Sequence, residues 1–472
     1  MAQTADDRTG ASSPDDDAPV GLIQRVFGSR QFFRLWLAQV ASSTGDWLGL
    51  IAIATLAGRI GADQGDSAAV GGLAISVVLA ARLVPGFFLA PLAGVLVDYW
   101  DRRRVMIFCD IGRAMVMVSL PFVDTVPGLV FASFILELLT MLWTPAKEAS
   151  IPHLVPRSHL TSANSLSLAA AYGTFPIASA LFAGLATVAA WFAASGWTST
   201  LHLNQEGLAF YFDAVTFLIT AGIVSTLHIP PPEHNAERLE SGFDLGRTYR
   251  DLREGWRTSF SNPTVRAVNI GLATALFGGA MVIPLGPGFA QDGLGAVTDA
   301  AYGWLMFALG SGVALGIIGV GLVQRSLPKG LVFAASILAG GVALILAAAS
   351  SSLFLATIFV AFLGLCAGAT YVLAMTILHE MVDDELRGRV FATFFTLIRT
   401  CVLFAMVIAP LLGGALDRML PDTITFAGAT VVLTDERLAL MTGGVIVVIG
   451  GLIAAASLRA GQHQDRAEEV AS

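Results

Sequence analysis

The apolar positions of this chain fall into long unbroken runs, not into the short alternations of half-buried elements. Twelve runs are long enough to cross a bilayer: 33–58, 70–97, 105–123, 127–149, 162–188, 207–227, 267–289, 301–323, 331–349, 353–377, 389–415 and 437–458. About 20 apolar residues in a helix cross about 30 Å of hydrocarbon. The pattern therefore predicts an all-α integral membrane protein with twelve transmembrane helices. Pro176 and Pro410 fall inside the fifth and eleventh runs, a placement that membrane helices tolerate when neighbours satisfy the freed backbone groups. One longer polar segment, 228–266, carries "IPPP", many charges and the amphipathic stretch "LGRTYRDLREGWRTSF". It is expected to be a cytoplasmic linker with one surface helix.

The pattern repeats. "LVDYWDRR" (96–103) overlays "LVQRSLPK" (322–329), and "LTSANSL" from Leu160 overlays "LRGRVFA" from Leu386, both at an offset of 226 residues. Two six-helix bundles in the same orientation follow, related by an axis along the membrane normal. The expected division is a disordered cytoplasmic tail at 1–31, an N-terminal bundle at 32–227, the linker at 228–266, a C-terminal bundle at 267–459 and a cytoplasmic tail at 460–472.

Composition sharpens this picture. The chain is 55% hydrophobic and 13% charged, where a soluble domain has about 25% charged residues. The net charge of −8 is partly gathered in Asp6, Asp7, Asp15, Asp16 and Asp17 of the leading tail. Of the 27 lysines and arginines, 21 fall in segments on the side of the N-terminus, 3 on the other side and 3 inside spans. Cytoplasmic loops carry the excess of Lys and Arg, so both termini are expected in the cytoplasm, in the cell membrane. The three arginines of "GVLVDYWDRRRVM" (94–106) sit in the tight turn after the second span and anchor it on that face.

Several chemistries find no support. No basic, aromatic-studded face points to a nucleic-acid partner. Cys109, Cys366 and Cys401 lie in apolar runs with neither disulfide nor metal spacing, and the seven histidines have no ligand spacing. "GSGVALG" (310–316) has the wrong glycine spacing for a nucleotide loop and reads as close helix packing. Neither lysine, Lys147 or Lys329, follows a glycine, so there is no Walker loop for ATP. No nucleophile–base pair is visible. The chain is read as a non-enzyme with no cofactor and no metal.

Charged groups inside spans are costly and mark pathways or pairs. Asp46 lies about 14 residues into the first span and Arg82 about 16 residues from the cytoplasmic end of the second. At 1.5 Å per residue these depths are roughly 21 and 24 Å, so the two are expected to face each other. They form either a fixed pair or a site where Asp46 exchanges a proton. Glu137 in the fourth span is the other proton-carrier candidate. Asp213 in the sixth and Arg399 in the eleventh are candidates for the cavity. Asp110 and Arg113, three apart, are expected to pair on one helix face.

These features resemble the major facilitator superfamily. Its motif after the second span is similar to "GVLVDYWDRRR", with Gly94, Asp98, Arg102 and Arg103 at matching positions. Tyr99 stands where a basic residue is usual and Asp101 where glycine is usual. "PAKEASIPHLVPRSHLTSANSL" (145–166), "FDAVTF" (212–217), "DLREGWR" (251–257) and "DDELRGRVF" (383–391) resemble the branch that includes enterobactin and macrolide exporters. The resemblance implies a rocker-switch transporter, monomeric, taking a small-molecule substrate between its halves. It implies a cytoplasmic latch in which Asp98 faces the start of the eleventh span near Gly388. It further implies proton-coupled efflux of a small amphipathic compound such as a drug or siderophore. The alternatives are lysophospholipid or solute movement without protons, or a non-transporting receptor or scaffold.

Overall fold

The computed structural model describes residues 22–64, 68–194, 204–230, 256–257, 261–323, 328–382, 384–417, 419, 423–426, 429–432 and 434–471. Within these, the side chains of 64, 68–70, 87, 88, 90–99, 161, 193, 194, 205, 321, 323, 384–389, 391, 392, 395, 417, 423–432 and 460–471 are outside the description.

Each apolar run becomes a helix. The N-terminal half holds α1 (Arg30–Gln64), α2 (Ala68–Tyr99), α3 (Arg102–Ser119), α4 (Val126–Leu154), α5 (Leu160–Gly173, continuing as Phe175–Ala194) and α6 (Gln205–Ser225). The C-terminal half holds α7 (Pro263–Ala280, continuing as Val282–Gly288), α8 (Ala300–Val323), α9 (Lys329–Ala349), α10 (Leu353–Met381), α11 (Asp384–Asp417) and α12 (Asp435–Ala471). Arg102 and Lys329, which begin α3 and α9, are 227 residues apart, as are Val126 and Leu353 at the heads of α4 and α10. The helices thus repeat at nearly the offset of the motifs. The break in α5 has a local cause: Pro176 has no N–H, so the ladder bond to Tyr172 is lost. Three side chains of α1 bond carbonyls close to that break. Trp36 donates to Leu166 O at 2.9 Å, Gln39 to Ser167 O at 2.8 Å and Trp47 to Ala171 O at 2.8 Å.

Two expectations need correction. Part of the leading tail is helical: Leu22–Phe27 forms a short helix and α1 already begins at Arg30. Aromatic packing explains it, since the Phe27 ring lies 4.8 Å from Phe33 and 5.1 Å from Trp36. The all-α reading also missed a hairpin between α11 and α12, where Thr423–Phe426 (β1) pairs antiparallel with Ala429–Val432 (β2). Its β-branched residues favour strand. The linker helix and residues 1–21 fall outside the described residues.

The halves meet on one face only. There a single apolar core joins Leu48, Leu56 and Phe210 of the first half to Met281, Tyr302 and Met406 of the second. Ser76 of α2 donates to Met406 O of α11 at 2.5 Å. Ala183 of α5 backs onto Gly303 of α8. On the face that carries both ends of the helical bundle the cores are separate. Phe32, Val105 and Leu154 cluster in one half; Phe333, Val390 and Leu458 cluster in the other. Among the described residues no core cluster bridges the halves on that face.

Within the C-terminal half, α8 and α10 run in backbone contact. A β-carbon at Gly312 would lie 2.8 Å from Leu365 N, and one at Gly364 would lie 3.0 Å from Val313 N. The "GSGVALG" glycines serve this seam, as small residues do where membrane helices approach closely. Arg437, 2% exposed at the head of α12, donates to Ala348 O at 2.8 Å and to Gly293 O at 2.5 Å. It ties the ends of α9 and α7 together. Hydrogen bonds from a charged donor contribute about 1.5–3 kcal/mol each. Arg437→Ala is therefore expected to lower stability by about 3 kcal/mol, read as the thermal midpoint of the detergent-solubilised protein.

Candidate functional site

Nearly all the charges inside the membrane belong to the N-terminal half, and they converge. Arg82 of α2 reaches Asp46 of α1, Nη2 to Oδ1, at 3.9 Å. Helical rise alone places these two at one level, and both side chains do point inward. Asp46 has a second cation: Arg113 Nη1 lies 3.4 Å from its Oδ2. Arg113 also donates through Nη2 to Asp110 Oδ1 on its own helix. Asp110 Oδ2 accepts from Trp143 Nε1 of α4 at 3.2 Å. The Arg113 guanidinium lies 4.3 Å from the Phe217 ring centre and 5.2 Å from that of Trp143. So α1, α2, α3, α4 and α6 all hold one buried network, and Arg113 is its hub. From the sequence Asp110 and Arg113 read as a private pair; the rotation of α3 that aims Arg113 at α1 leaves no trace in spacing.

Asp213 of α6 closes the network from behind. It is fully buried, and its Oδ1 accepts from Thr216 Oγ1 at 3.1 Å. Gly45 and Gly49 of α1 pack directly on this carboxyl group, where a β-carbon at Gly49 would stand 2.5 Å from Oδ2. Asp213 therefore belongs to the helix interface and not to the cavity wall, one of the two roles open to it from sequence.

Glu137 of α4 is half-buried, and a β-carbon at Gly86 of α2 would lie 3.8 Å from its Oε1. It lies in electrostatic range of Arg82, Asp46 and Arg399. Arg399, on α11 of the other half, is exposed within the protein. Among the described residues no salt bridge engages Glu137, whereas Asp46 has two. The T-shaped pair Trp47–Phe175, with ring centres 4.8 Å apart, joins α1 to α5, and Phe175 also meets Gly310 of α8.

The two halves are not chemically alike. At positions 226 residues beyond Asp46, Arg82, Glu137 and Asp213 the second half has Leu272, Ala308, Leu363 and Ala439. All four are buried.

Of the residues expected to latch the face that carries the termini, Arg102 donates to Ala149 O at 3.1 Å and Arg103 donates to Ser225 O. Both bonds tie α3 to helix ends of its own half, and neither crosses to α11. The side chain of Asp98 falls outside the description, as do Gly94 and Gly388. Among the described residues no cluster of three or more His, Cys, Asp and Glu side chains is arranged to hold a metal ion.

Comparison with known proteins agrees with this architecture. A family profile described as "transmembrane secretion effector" matches residues 26–448. An uncharacterised transporter of the major facilitator type from Mycobacterium tuberculosis is 27% identical over 83% of this chain and 87% of its own length. One of the same type from Bacillus subtilis is 31% identical, over 28% of this chain and 30% of that protein. The multidrug efflux pump Tap of Mycobacterium tuberculosis is 22% identical over 76% of the chain and 81% of its own length. Among solved structures, a bacterial homologue of the lysosomal transporter Spinster, inward-facing and unoccupied, superposes with a TM-score of 0.67. It is 14% identical and covers 92% of this chain and 98% of its own.

Proposed function

Since the chain belongs to the transmembrane secretion effector family of major facilitator transporters, we propose that it exports a small amphipathic compound from the cytoplasm in exchange for protons. It does so as a monomer in the cell membrane, by alternating access. The observation that carries this reading is Glu137: a membrane carboxylate beside the gap between the halves, with no salt bridge, while every neighbouring acid is engaged. A carboxylate so placed takes either a proton or the basic group of a substrate, and the two compete. Arg82 and Arg399 keep its charge compensated while it is empty. The lysine and arginine bias puts the termini in the cytoplasm, so the separated face opens inward and Glu137 is loaded from the cytoplasm. Efflux, not uptake, accords with the likeness to the pump Tap. The Asp46–Arg82–Arg113 network supplies a fixed scaffold behind the carrier.

The test is flux in liposomes with a pH-sensitive dye inside, an imposed pH gradient, and a panel of drugs, siderophores and lysolipids. One class of compound is expected to trigger proton movement in the wild type. Glu137→Gln is expected to bind that compound yet reduce proton movement to the level of empty liposomes. Compound flux without proton movement, equal in wild type and Glu137→Gln, would overturn antiport. Flux of lysolipids alone would make the chain a lipid mover.

A further inference from the structure

The closed face carries charged groups that the cavity does not use. Arg59, near the end of α1, donates through Nε to Glu206 Oε1 at 3.0 Å, in the first turn of α6. Glu206 is buried. Asp299 stands directly before α8, between the spans that end at Gly293 and begin at Ala300. Its Oδ1 accepts from Gln291 Nε2 at 2.8 Å, and its backbone carbonyl accepts from Gly303 N at 3.1 Å. One residue on, Ala300 packs with Ala183 and Ala186 of α5. A β-carbon at Gly303 would lie 2.9 Å from Ala183 N. Asp299 therefore sits at the seam where the halves touch. Across that seam it is within electrostatic range of Glu206 and Arg59, both from the other half. Gln291 of its own half completes its surroundings. Asp292 beside Gln291 is acted on by Asp435 of α12.

We propose that Asp299, facing Glu206 and Arg59 across this seam, is a proton-binding site in the outer gate, and that a proton taken up there holds the gate shut. The inference rests on the alternating-access reading, since it requires that this face open. Burial, and after it the Glu206 carboxylate, push Asp299 up to about 6, while the Gln291 hydrogen bond and Arg59 pull the other way. Once the gate opens, Asp299 returns to water and away from Glu206, and to about 3.9. A group that holds its proton more tightly in one state stabilises that state below its higher pKa. The closed gate is therefore favoured in acid, and the advantage is lost as pH rises through about 6. Two pH units of difference correspond to about a 100-fold change in the ratio of closed to open. The site reads the compartment from which an importer of protons draws them: acid outside shuts the outer gate behind a proton already aboard.

The experiment is a distance measurement between nitroxide labels at Ala62→Cys, at the exposed end of α1, and Val297→Cys, 96% exposed before α8. The protein sits in lipid nanodiscs, with Cys109, Cys366 and Cys401 replaced by alanine. The population at long separation is expected to grow as pH is raised from about 4.5 to 7.5, with a midpoint near the Asp299 value of about 6. Asp299→Asn is expected to stay at the short distance throughout, and Glu206→Gln to move the midpoint to lower pH. A wild type insensitive to pH, or an Asp299→Asn that keeps the wild-type shift, would overturn the proposal. No compound or flux is read. The same shift in a Glu137→Gln background separates this inference from antiport, whose failure would leave it standing.

Discussion

Arg113→Ala is expected to destabilise the protein more than any other single truncation in the membrane. Arg113 is 0% exposed, bonds Asp110 and Asp46, and lies over the Phe217 and Trp143 rings. Its removal strands Asp110, also 0% exposed, with only the Trp143 indole for a partner. Removing one member of a buried ion pair costs about 3–5 kcal/mol, because the other charge is left uncompensated. The same rule predicts the remedy. Replacing both members by apolar side chains is much less harmful, so Asp110→Leu with Arg113→Leu should recover part of the loss. Thermal unfolding in detergent, followed by the monodisperse fraction on size exclusion, measures both. A single variant within about 1 kcal/mol of wild type would mean that Asp110 is already neutral or hydrated. That would remove the hub from the account of the site.

The second large effect lies in the C-terminal half and involves no charge. Gly364→Val drives a branched side chain into the backbone of α8 at Leu309 and Val313. Overpacking a tight contact costs about 1–3 kcal/mol, occasionally more. Here the obstacle is backbone, which cannot swing aside, so about 3 kcal/mol is the expected loss. Gly319→Val on the same α8 is the matched control, because nothing lies within 4 Å of the added carbon. It should unfold at the wild-type temperature. Equal effects at the two positions would show that helix propensity, not the α8–α10 approach, is being measured.

What could be read in advance follows a physical divide. Spans are long one-dimensional signals, and all twelve runs became helices, most of them extended by several residues at their polar ends. The meeting of Asp46 and Arg82 was legible because axial rise is fixed. Helix rotation is not fixed by composition, and that is why Arg113 was assigned to Asp110 alone and Asp213 was left between cavity and interface. Contacts between the halves were less visible still. Arg59, Glu206 and Asp299 lie at the ends of three spans far apart in sequence, and no period links them. Arg437 was counted only as a loop charge on the minority side, although it is buried and caps two helices. The hairpin at 423–432 did carry a signal, its β-branched residues, but it was overshadowed by the apolar runs on either side.

The asymmetry between the halves has an electrical consequence. Asp46, Arg82, Asp110, Arg113, Glu137 and Asp213 ride on one half, while the matching positions tested in the other are apolar. A unit charge carried through the whole membrane potential is worth about 2.3 kcal/mol per 100 mV. When the halves rock, voltage therefore does work chiefly on the N-terminal one. The second half turns as an almost neutral body, apart from Arg399. Whether Glu137 carries a proton or a basic substrate changes the charge of the moving half, so the membrane potential weighs on the empty and loaded strokes unequally.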